Sequence, residues 1–419
     1  MTKRKGAASV AALAASTLAF GLMTAASTAA HADPAPGSSD IVGVGSDTLQ
    51  YMLDFGADGD VNGHNGYNFG KTSRIANFDA TPDANARAGY LNGSTSSALL
   101  ALNPTIFLRA GSSPRQRPNG SGAGLLALEL DSANQINFAR SSSPLGQGDV
   151  TNATGTGGSG ALHEVRLAND TLSIAAGNTT HAVPLSKAQL KQIYLCASGY
   201  THWSDSGVGG TSTDTIIPVI PQNGSGTRKT FLTAIGFTTD GNGNVTQAVG
   251  GCVKTYEEND PYALFLDSSG NQVADPYVAG LKPNADAIEP ISGGRLTLYQ
   301  NGYFYNPNQA LGKGPTAGDD SVLSPDVALL PTTGTASDGG DVYTQTRGLY
   351  VDFRDSDVNS TTHFNGSTKN WVNTLFLAGA SGGTPFFNSP AGKTLLQSAG
   401  VTPAYDDCGV DQLGASACP

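Results

Sequence analysis

Short apolar stretches alternate along this chain with segments in which apolar residues recur every three or four positions. The first pattern predicts buried β-strands, and the second predicts amphipathic helices. Residues 216–220 form one such apolar stretch. The helical face that follows carries Phe231 and Ile235, and Gly236 ends it. Strands that alternate with helices in this way are typical of layered α/β folds.

A loop of small residues, NGSGTR at 223–228, lies between that strand and that helix. The first turn of a helix presents unpaired N–H groups and the positive end of the helix dipole, so the loop is suited to bind an anion. A helix cap with glycines for a tight turn is the alternative interpretation.

The same plan occurs three more times earlier in the chain. GSDT (45–48) and NGSG (119–122) each follow an apolar or extended stretch and precede a helical pattern, and FARSSS (138–143) ends a short strand. Helix caps that each served only their own helix would not need to share this sequence pattern. The four loops therefore predict one shared site at the ends of neighbouring strands.

The first 32 residues have the features of a secretory signal peptide. Lys3, Arg4 and Lys5 precede an Ala- and Leu-rich run, and Ala30-His31-Ala32 has the form of a cleavage site. We expect cleavage near Ala32, a flexible start over 33–40, and export to the extracellular or cell-wall space; an uncleaved anchor is the alternative. No later segment approaches eighteen uninterrupted apolar residues, so we expect no membrane span in the mature chain.

The charge of the chain limits the kinds of partner. Removal of the signal peptide takes away three basic residues and no acid, so the formal net charge goes from −11 to −14. An acidic surface argues against nucleic acid as a partner. It does not exclude a small anion, because local dipoles bind anions within acidic proteins. We expect a monomer.

The four cysteines all lie in the predicted mature chain. An even number in an exported protein predicts two disulfides, and proximity in sequence favours Cys196–Cys252 and Cys408–Cys418. Metal binding is the alternative. However, no CxxC pair is present and the histidines are scattered, so we expect neither a metal nor a cofactor.

Taken in order, GSDT, NGSGAG, FARSSSP and QNGSGT resemble the ligand loops of the phosphate-binding proteins that serve ABC phosphate importers. VPLSKAQLKQIYL and THWSD extend the resemblance over residues 41–236, and NSPAGKTLLQSAGV extends it weakly. The family implies an α/β, two-lobed periplasmic-binding-protein-like type II fold with a ligand cleft between the lobes. The boundaries that we expect are 41–160 for the first part of lobe 1, 161–289 for lobe 2, and 290–419 for the return to lobe 1.

The resemblance also implies ligand residues, which we extend to their loop neighbours. The predicted ligand-binding residues are Ser46, Asp47, Thr48, Gly120, Ser121, Arg140, Ser141, Ser142, Asn223, Gly224, Ser225, Gly226, Thr227 and Arg228. The family usually has a carboxylate where Ser142 stands and often an arginine where Pro221 stands. Asp47 is the candidate acceptor here, or a plain helix cap. Arg140 and Arg228 are the candidate cations; the alternatives are a carboxylate partner for the first and a solvated position for the second.

These features predict an exported solute-binding protein that captures a small oxyanion, inorganic phosphate before others, with an ABC permease as candidate partner. A secreted phosphatase or other serine hydrolase is the rival. Neither Ser121 nor Ser225 stands in a GxSxG elbow, because Asn119 and Asn223 precede them by two residues. A surface adhesion or scaffold role is the third alternative.

Three further segments allow two interpretations each. Residues 58–69 begin like a calcium loop, but Phe69 stands at the twelfth position instead of glutamate, so a polar turn is the alternative. The acidic segment YEENDP (256–261) is a solvated loop or a hinge that gates the ligand. ISGGRL (291–296) is the candidate return crossing between lobes, with Arg295 near the cleft.

Overall fold

The computed structural model describes residues 36–60, 62–80, 105–240, 243–271, 282–300, 327–379 and 383–411, together with residue 418. The predicted signal peptide (1–32) and the first part of the predicted flexible start lie outside the described residues.

Two sets of elements make up the described part of the fold. The strands are β1 (Ile41–Gly45), β2 (Ile75–Asn77), β3 (Thr105–Ile106), β4 (Arg115–Gln116), β5 (Phe138–Ser141), β6 (Leu162–Ala176), β7 (Ile217–Pro221), β8 (Lys254–Tyr256), β9 (Ala287–Ser292), β10 (Ala328–Leu329), β11 (Gln345–Arg354) and β12 (Thr402–Val410). The helices are α1 (Gln50–Asp58), α2 (Ser121–Glu129), α3 (Gln147–Thr154), α4 (Lys187–Tyr194), α5 (Gly226–Ala234), α6 (Gly293–Gln300), α7 (Asp355–Val358), α8 (Trp371–Leu375) and α9 (Pro390–Ser398). Short 3₁₀ turns occur at Pro261–Leu264 and Phe386–Asn388.

One mixed sheet connects most of the strands. Its order within the described residues is β2-β1-β5-β11-β6-β9-β7-β8, with β10 and β12 also paired to β6. The strands β1, β2 and β5 run parallel at one end, and β7, β8 and β9 run parallel at the other. The antiparallel strands β6 and β11 join the two ends.

The first lobe forms around the β1 end of the sheet, and helices cover both faces. Because successive strand residues point to opposite faces, Val42 and Val44 pack with Leu125 of α2 on one side. On the other side Leu53 of α1 packs with Leu396 of α9 in a core rich in aromatic rings.

The second lobe forms around the β7 end and repeats this arrangement. Leu190 of α4 and Phe231 of α5 pack with Trp203 on one face of the sheet. Val219 of β7 packs with Phe265 on the other face. Each lobe therefore has a sheet with a separate apolar core on each side.

The chain passes between the lobes within β6, at the start of β11 and at the junction of β9 with α6. On β6, Ala168 lies in a first-lobe core and Leu172 in a second-lobe core. Tyr343 and Leu349 mark a similar passage at the start of β11, and a third occurs where β9 continues into α6, with Leu298 in a first-lobe core.

The first of these passages lies away from the expected lobe boundary at residue 160, whereas the third lies at ISGGRL (291–296), the candidate return crossing. The first passage lies within β6 instead of near Gly160, because the strand continues through both lobes for fifteen residues. Within residues 290–419, which we expect in lobe 1, Leu395 and Leu396 of α9 pack in a first-lobe core, whereas Leu330 and Tyr343 pack in a second-lobe core.

Both disulfides favoured by the sequence are present, and no cysteine is free among the described residues. Cys196–Cys252 ties the end of α4 to the segment before β8 with a Cα–Cα distance of 6.0 Å. Cys408–Cys418 links β12 to residue 418. None of the described helices combines the length and the apolar character that a membrane span requires.

Candidate oxyanion-binding site

The four predicted loops meet at the boundary between the lobes. The Thr48 Oγ1 atom after β1 lies 3.3 Å from the Thr227 Oγ1 atom in the first turn of α5. The Oγ atom of Ser121, where α2 begins, lies 3.2 Å from that of Ser142 after β5. A Cβ atom added at Gly226 would overlap both serine hydroxyls. We call these five residues the seat.

Two helices from different lobes direct their N-termini at the seat. Helix α2 begins at Ser121 of the first lobe, and α5 begins at Gly226 of the second. Gly120 has φ +95° and a Cβ atom there would lie 2.6 Å from the Gly224 carbonyl oxygen, so only glycine permits this approach of the two backbones. The N–H group of Gly122 donates to that same oxygen at 3.0 Å. The positive ends of two helix dipoles thus lie side by side.

Arg347 of β11 supplies a guanidinium group to the seat. It donates through Nη1 to Thr227 Oγ1 at 2.8 Å and through Nη2 to Thr48 Oγ1 at 3.2 Å. Its Nε and Nη2 atoms also donate to Asp170 Oδ2, at 3.0 and 2.9 Å. The Thr227 hydroxyl accepts from Arg347, which can only donate, so its own proton is available to be donated, to Thr48 Oγ1 at 3.3 Å or to an anion. Arg347 therefore orients a donor as well as adding charge.

Glu258 places a carboxylate against the same donors. Its Oε1 atom accepts from Thr48 Oγ1 at 3.0 Å and from the Thr227 N–H group at 3.3 Å, and the side chain is fully buried. Burial raises the pKa of Glu258, and the charge of Asp47 raises it further, against the opposing effect of Thr227 and Arg347. The carboxylate bridges one residue of each lobe.

The Asp47 side chain lies behind the seat, next to Thr48. Its Oδ2 atom is 3.2 Å from Nη2 of Arg295, and both side chains are buried. The Arg295 guanidinium also lies over the ring of Tyr51, 4.3 Å from its centroid. Asn259 contacts this layer and the seat together, because its Nδ2 atom donates to Thr48 Oγ1 at 3.1 Å. The described pairs therefore join Arg347 with Asp170 and Arg295 with Asp47.

A cavity of about 380 Å³ reaches the seat from the surface. Its wall includes Ser121, Ser225 and Gly226, and two cations, Arg228 and Lys229, line it as well. The acid Asp149 lies in the same wall, so the cavity carries charges of both signs beside the helix N-termini.

A family model for the PBP superfamily domain matches residues 80–362, which is more than half of the chain. The chain belongs to the PBP superfamily. The members of this family are solute-binding proteins, and the predicted two-lobed α/β fold is confirmed.

Solved structures similar to this PBP superfamily chain include a protein from Clostridium perfringens with bound phosphate, at 14% identity and a TM-score of 0.46. That match covers 87% of this chain and 99% of the other. An ABC-type phosphate transport receptor from Vibrio cholerae shares 18% identity at a TM-score of 0.46, over 87% of this chain and 100% of the other. No curated protein matches the sequence.

Within this PBP superfamily fold, the predicted residues fall into three groups. Thr48, Ser121, Ser142, Gly226 and Thr227 form the seat. Ser46, Asp47, Gly120, Gly224 and Ser225 lie directly beside it in the same loops. The Oγ atom of Ser46 is buried and makes no hydrogen bond among the described residues, which fits a hydroxyl that faces a ligand. Ser225 caps α5, since its Oγ atom accepts from the Arg228 N–H group at 3.0 Å.

The side chains of the third group, Arg140, Ser141, Asn223 and Arg228, point away from the seat. Arg140 donates to the carbonyl oxygens of Ser46 and Gly45 and to Asn77 Oδ1, so it braces the loop after β1 from within the first lobe. Burial lowers the pKa of Arg140 to about 10. Arg347, and not Arg140, contacts the seat.

The remaining members of that group make local contacts. The Ser141 hydroxyl donates to the Ser143 carbonyl oxygen at 2.5 Å. Arg228 donates to the Pro221 carbonyl oxygen at 2.8 Å from the rim of the cavity, and Asn223 is exposed. The guanidinium of Arg228 thus lies next to Pro221, the position at which the phosphate-binding proteins that this chain resembles often have an arginine.

Sequence reasoning missed Arg347, Asp170 and Glu258. The sequence of β11 contains a signal for Arg347. Arg347 lies two and four residues before the buried Leu349 and Val351, and alternate residues of a strand share one face of the sheet. The solvated-loop interpretation of residues 256–261 is wrong, since Glu257, Glu258 and Asp260 are all buried.

Two other groups of acids have local explanations. Asp60, in the segment that begins like a calcium loop, accepts from the N–H groups of Asn62 and His64, which agrees with the polar-turn interpretation. His181, Asp214 and Asp286 form the only group among the described residues with metal-like spacing. His181 Nδ1 contacts Asp286 Oδ1 at 2.7 Å, and Trp203 donates to that same oxygen, so hydrogen bonding accounts for the group.

Proposed function

We propose that this protein is an exported solute-binding protein that captures inorganic phosphate between its lobes and is not an enzyme. The observation that carries the proposal is the meeting of two helix N-termini and the Arg347 guanidinium at a group of hydroxyls. Backbone N–H groups, hydroxyls and a guanidinium are the donors that a tetrahedral oxyanion with several acceptor oxygens requires. Membership of a family of solute-binding proteins supports the same function.

The chemistry of the seat favours binding over hydrolysis. A serine nucleophile needs a general base within hydrogen-bond reach. Among the described residues, no histidine hydrogen-bonds to Ser121, Ser142 or Ser225, and the described hydrogen bonds of His163 and His181 are to carboxylates. The two serines of the seat contact each other instead.

Export, cleavage near Ala32, a monomeric state and delivery to an ABC permease complete the proposal. Disulfides persist in oxidising compartments outside the cytosol, so Cys196–Cys252 and Cys408–Cys418 support an extracellular or cell-wall location.

Calorimetric titration of the mature protein with phosphate, sulfate, a phosphonate and a sugar phosphate tests the proposal. We expect one phosphate per chain and no turnover of a chromogenic phosphate ester. Thr227→Ala removes one hydroxyl of the seat and should weaken phosphate binding about ten- to a hundredfold, because a lost buried hydrogen bond to an anion costs about 1–3 kcal/mol.

Thr233→Ala is the matched control, since it makes the same change at an exposed position of α5. It should leave phosphate affinity unchanged. Equal affinities of wild type, Thr227→Ala and Thr233→Ala would place the phosphate site elsewhere, and steady ester turnover would favour the hydrolase.

A further inference from the structure

Asn223 and Gly224 form an Asn-Gly sequence in the turn that precedes α5, at the boundary between the lobes. Both residues are exposed, and Asn223 lines the cavity of about 380 Å³ that reaches the seat. Neither the side-chain amide of Asn223 nor the N–H group of Gly224 makes a hydrogen bond to the described residues. The amide carbon and the backbone nitrogen that follows it are therefore both open to solvent.

These two groups can react with each other to form a succinimide ring. The Gly224 nitrogen gives up its proton to hydroxide and attacks Cγ of Asn223, and a C–N bond forms as the side-chain nitrogen leaves as ammonia. Glycine has no Cβ atom to hinder this approach. Water then adds to one of the two ring carbonyl groups and breaks its C–N bond, which leaves aspartate or isoaspartate. The net reaction consumes one water molecule and releases one ammonia molecule.

Two other Asn-Gly sequences of the described residues have a side-chain amide that is held by hydrogen bonds. Asn119 donates to Glu257 Oε2 at 3.1 Å and accepts from Gln222 Nε2 at 3.1 Å. Asn365 accepts from the Ser73 N–H group at 2.9 Å and donates to the Ser73 carbonyl oxygen at 2.7 Å. Each amide must break these hydrogen bonds before its carbon can turn toward the next backbone nitrogen.

The two Asn-Gly sequences in the polar turn after α1 are restrained through the main chain. The Gly63 N–H group already donates to the Asp60 carbonyl oxygen at 3.2 Å. Asn65 pairs with Gly59 in an isolated β-bridge, and Gly66 is buried. In both sequences the peptide group that would have to rotate is fixed by its neighbours.

We propose that Asn223 is a site of spontaneous deamidation, and that the aspartate or isoaspartate formed there lowers the affinity of the seat for an anion. Of the Asn-Gly sequences that the structure describes, it alone combines an unbonded amide with exposure of both residues. The modification itself does not depend on the proposed function. Its effect on affinity rests on that function.

Either product changes the entrance to the seat. Each adds a negative charge to the cavity wall that also includes Ser225 and Gly226, and this charge repels an arriving anion. Isoaspartate also inserts a methylene group into the main chain just before Gly224. The Gly224 carbonyl oxygen accepts from the Gly122 N–H group of the other lobe at 3.0 Å, so the insertion disturbs a contact between the lobes.

Incubation of the mature protein at pH 8, followed by peptide mapping, tests the modification. A higher pH favours loss of the Gly224 proton and thus the attack on the amide. We expect the peptide with Asn223 to convert to the acid forms at least about tenfold faster than those with Asn119 and Asn365, whose amides must first break hydrogen bonds. Equal conversion of the three peptides, or slower conversion at Asn223, would overturn the assignment.

Calorimetric titration with phosphate tests the effect on binding. The converted wild-type protein, separated from the rest by its added negative charge, should bind phosphate about tenfold more weakly, and fresh Asn223→Asp should show a similar loss. Unchanged affinity in the converted protein would overturn the proposed effect.

Asn223→Gln is the matched control, because its longer side chain would have to close a larger ring. After incubation it should bind phosphate as its own fresh sample does. An equal loss of affinity in incubated wild type and incubated Asn223→Gln would assign the loss to damage elsewhere and overturn the proposal. Fresh wild type that does not bind phosphate would contradict the proposed function, whereas peptide mapping would still decide whether Asn223 is modified.

Discussion

The seat and the first-lobe sheet both bury carboxylates, but they neutralise them in different ways. Beside the seat, Asp170 and Asp47 each face an arginine, at 2.9 and 3.2 Å. In the first lobe, Glu164 of β6 and Asp352 of β11 are register partners on neighbouring strands, and both are fully buried. Like charges directly opposite each other destabilise a sheet, so this pair needs a proton where the seat has a cation.

Glu129 joins that pair, and we call the three residues the first-lobe acid cluster. Burial raises the pKa of Glu129 to about 8 and that of Glu164 to about 7. It raises the pKa of Asp352 well above its usual range, and the charge of Glu164 adds to the effect. The cluster therefore holds protons at neutral pH.

Acids that face an arginine serve the proposed binding site, whereas the acids of the first-lobe acid cluster affect the stability of the fold. The hydrogen bonds between Arg347 and Asp170 hold the guanidinium in place, so the donors of the seat are already oriented for the proposed anion. The first-lobe acid cluster has no arginine partner among its described contacts and makes the fold sensitive to pH. Buried acids alone thus do not identify a site; the partners of each acid do.

The largest expected effect comes from Arg347→Ala. The change removes the guanidinium from the seat and leaves Asp170 as a buried charge without its partner, which costs about 3–5 kcal/mol. Phosphate affinity should fall more than about a hundredfold. The measurement is calorimetric titration together with urea unfolding.

Arg354→Ala is the control for that change. Arg354 lies on the same strand and forms a buried ion pair with Asp131 at 2.8 Å, away from the seat. It should destabilise the fold to a similar extent and leave phosphate affinity within about twofold of wild type. A similar loss of affinity in both variants would mean that Arg347 acts only through stability.

Two aspartate-to-asparagine changes should have opposite effects on stability. Asp170→Asn leaves the Arg347 guanidinium buried without a counter-ion and should lower the free energy of unfolding by about 3 kcal/mol. Asp352→Asn removes an acid from the first-lobe acid cluster and should raise the free energy of unfolding at pH 8. Urea unfolding at pH 8 measures both, and effects of the same sign would contradict the distinction.

The smallest expected effect is the pH dependence of the wild type. The unfolded chain releases the protons of its glutamates above about pH 4.5, whereas the folded chain retains those of Glu129 and Glu164 until about pH 7 to 8. The folded state then binds more protons, so the free energy of unfolding should fall as the pH rises from 5 to 8 and continue to fall until the first-lobe acid cluster has lost its protons.

His163 contributes to that slope in the same direction. Its hydrogen bonds to Asp407 and Asp355 raise its pKa in spite of burial, so its stabilisation is lost as the pH rises. Because His163 and the first-lobe acid cluster act in the same direction, the contribution of Asp352 is measured by the difference between wild type and Asp352→Asn in the slope of the free energy of unfolding with pH. An unchanged slope of the free energy of unfolding with pH in the variant would show that Asp352 does not contribute to the pH dependence.

Local pattern predicts one half of the site and fails for the other half. The small-residue loops adjoin strands and helices in sequence, so Ser121 and Thr227 were predictable from a few neighbouring residues. Arg347 reaches Thr48 across 299 positions of the chain, and only the pairing of β11 with β6 brings it there. Glu258 lies in an acidic segment whose composition favours solvent, and its burial follows from the packing of the lobes.

The same limit applies to the fold. Alternating strands and helices indicate two α/β lobes, and the family match confirms them. The crossing points depend on strand length: β6 continues without a turn through Asn169 to Thr171, although Asn and Asp are residues that turns favour.

The most direct test of the central claim is to locate a bound oxyanion. Arsenate has the shape and protonation of phosphate and scatters anomalously, so crystals of the mature protein grown with arsenate would show its position as an anomalous peak. We predict one peak per chain, within hydrogen-bond reach of the Thr227 N–H group, the Ser121 hydroxyl and the Arg347 guanidinium. A peak outside the seat, or none at a concentration that saturates the protein in calorimetry, would contradict the account.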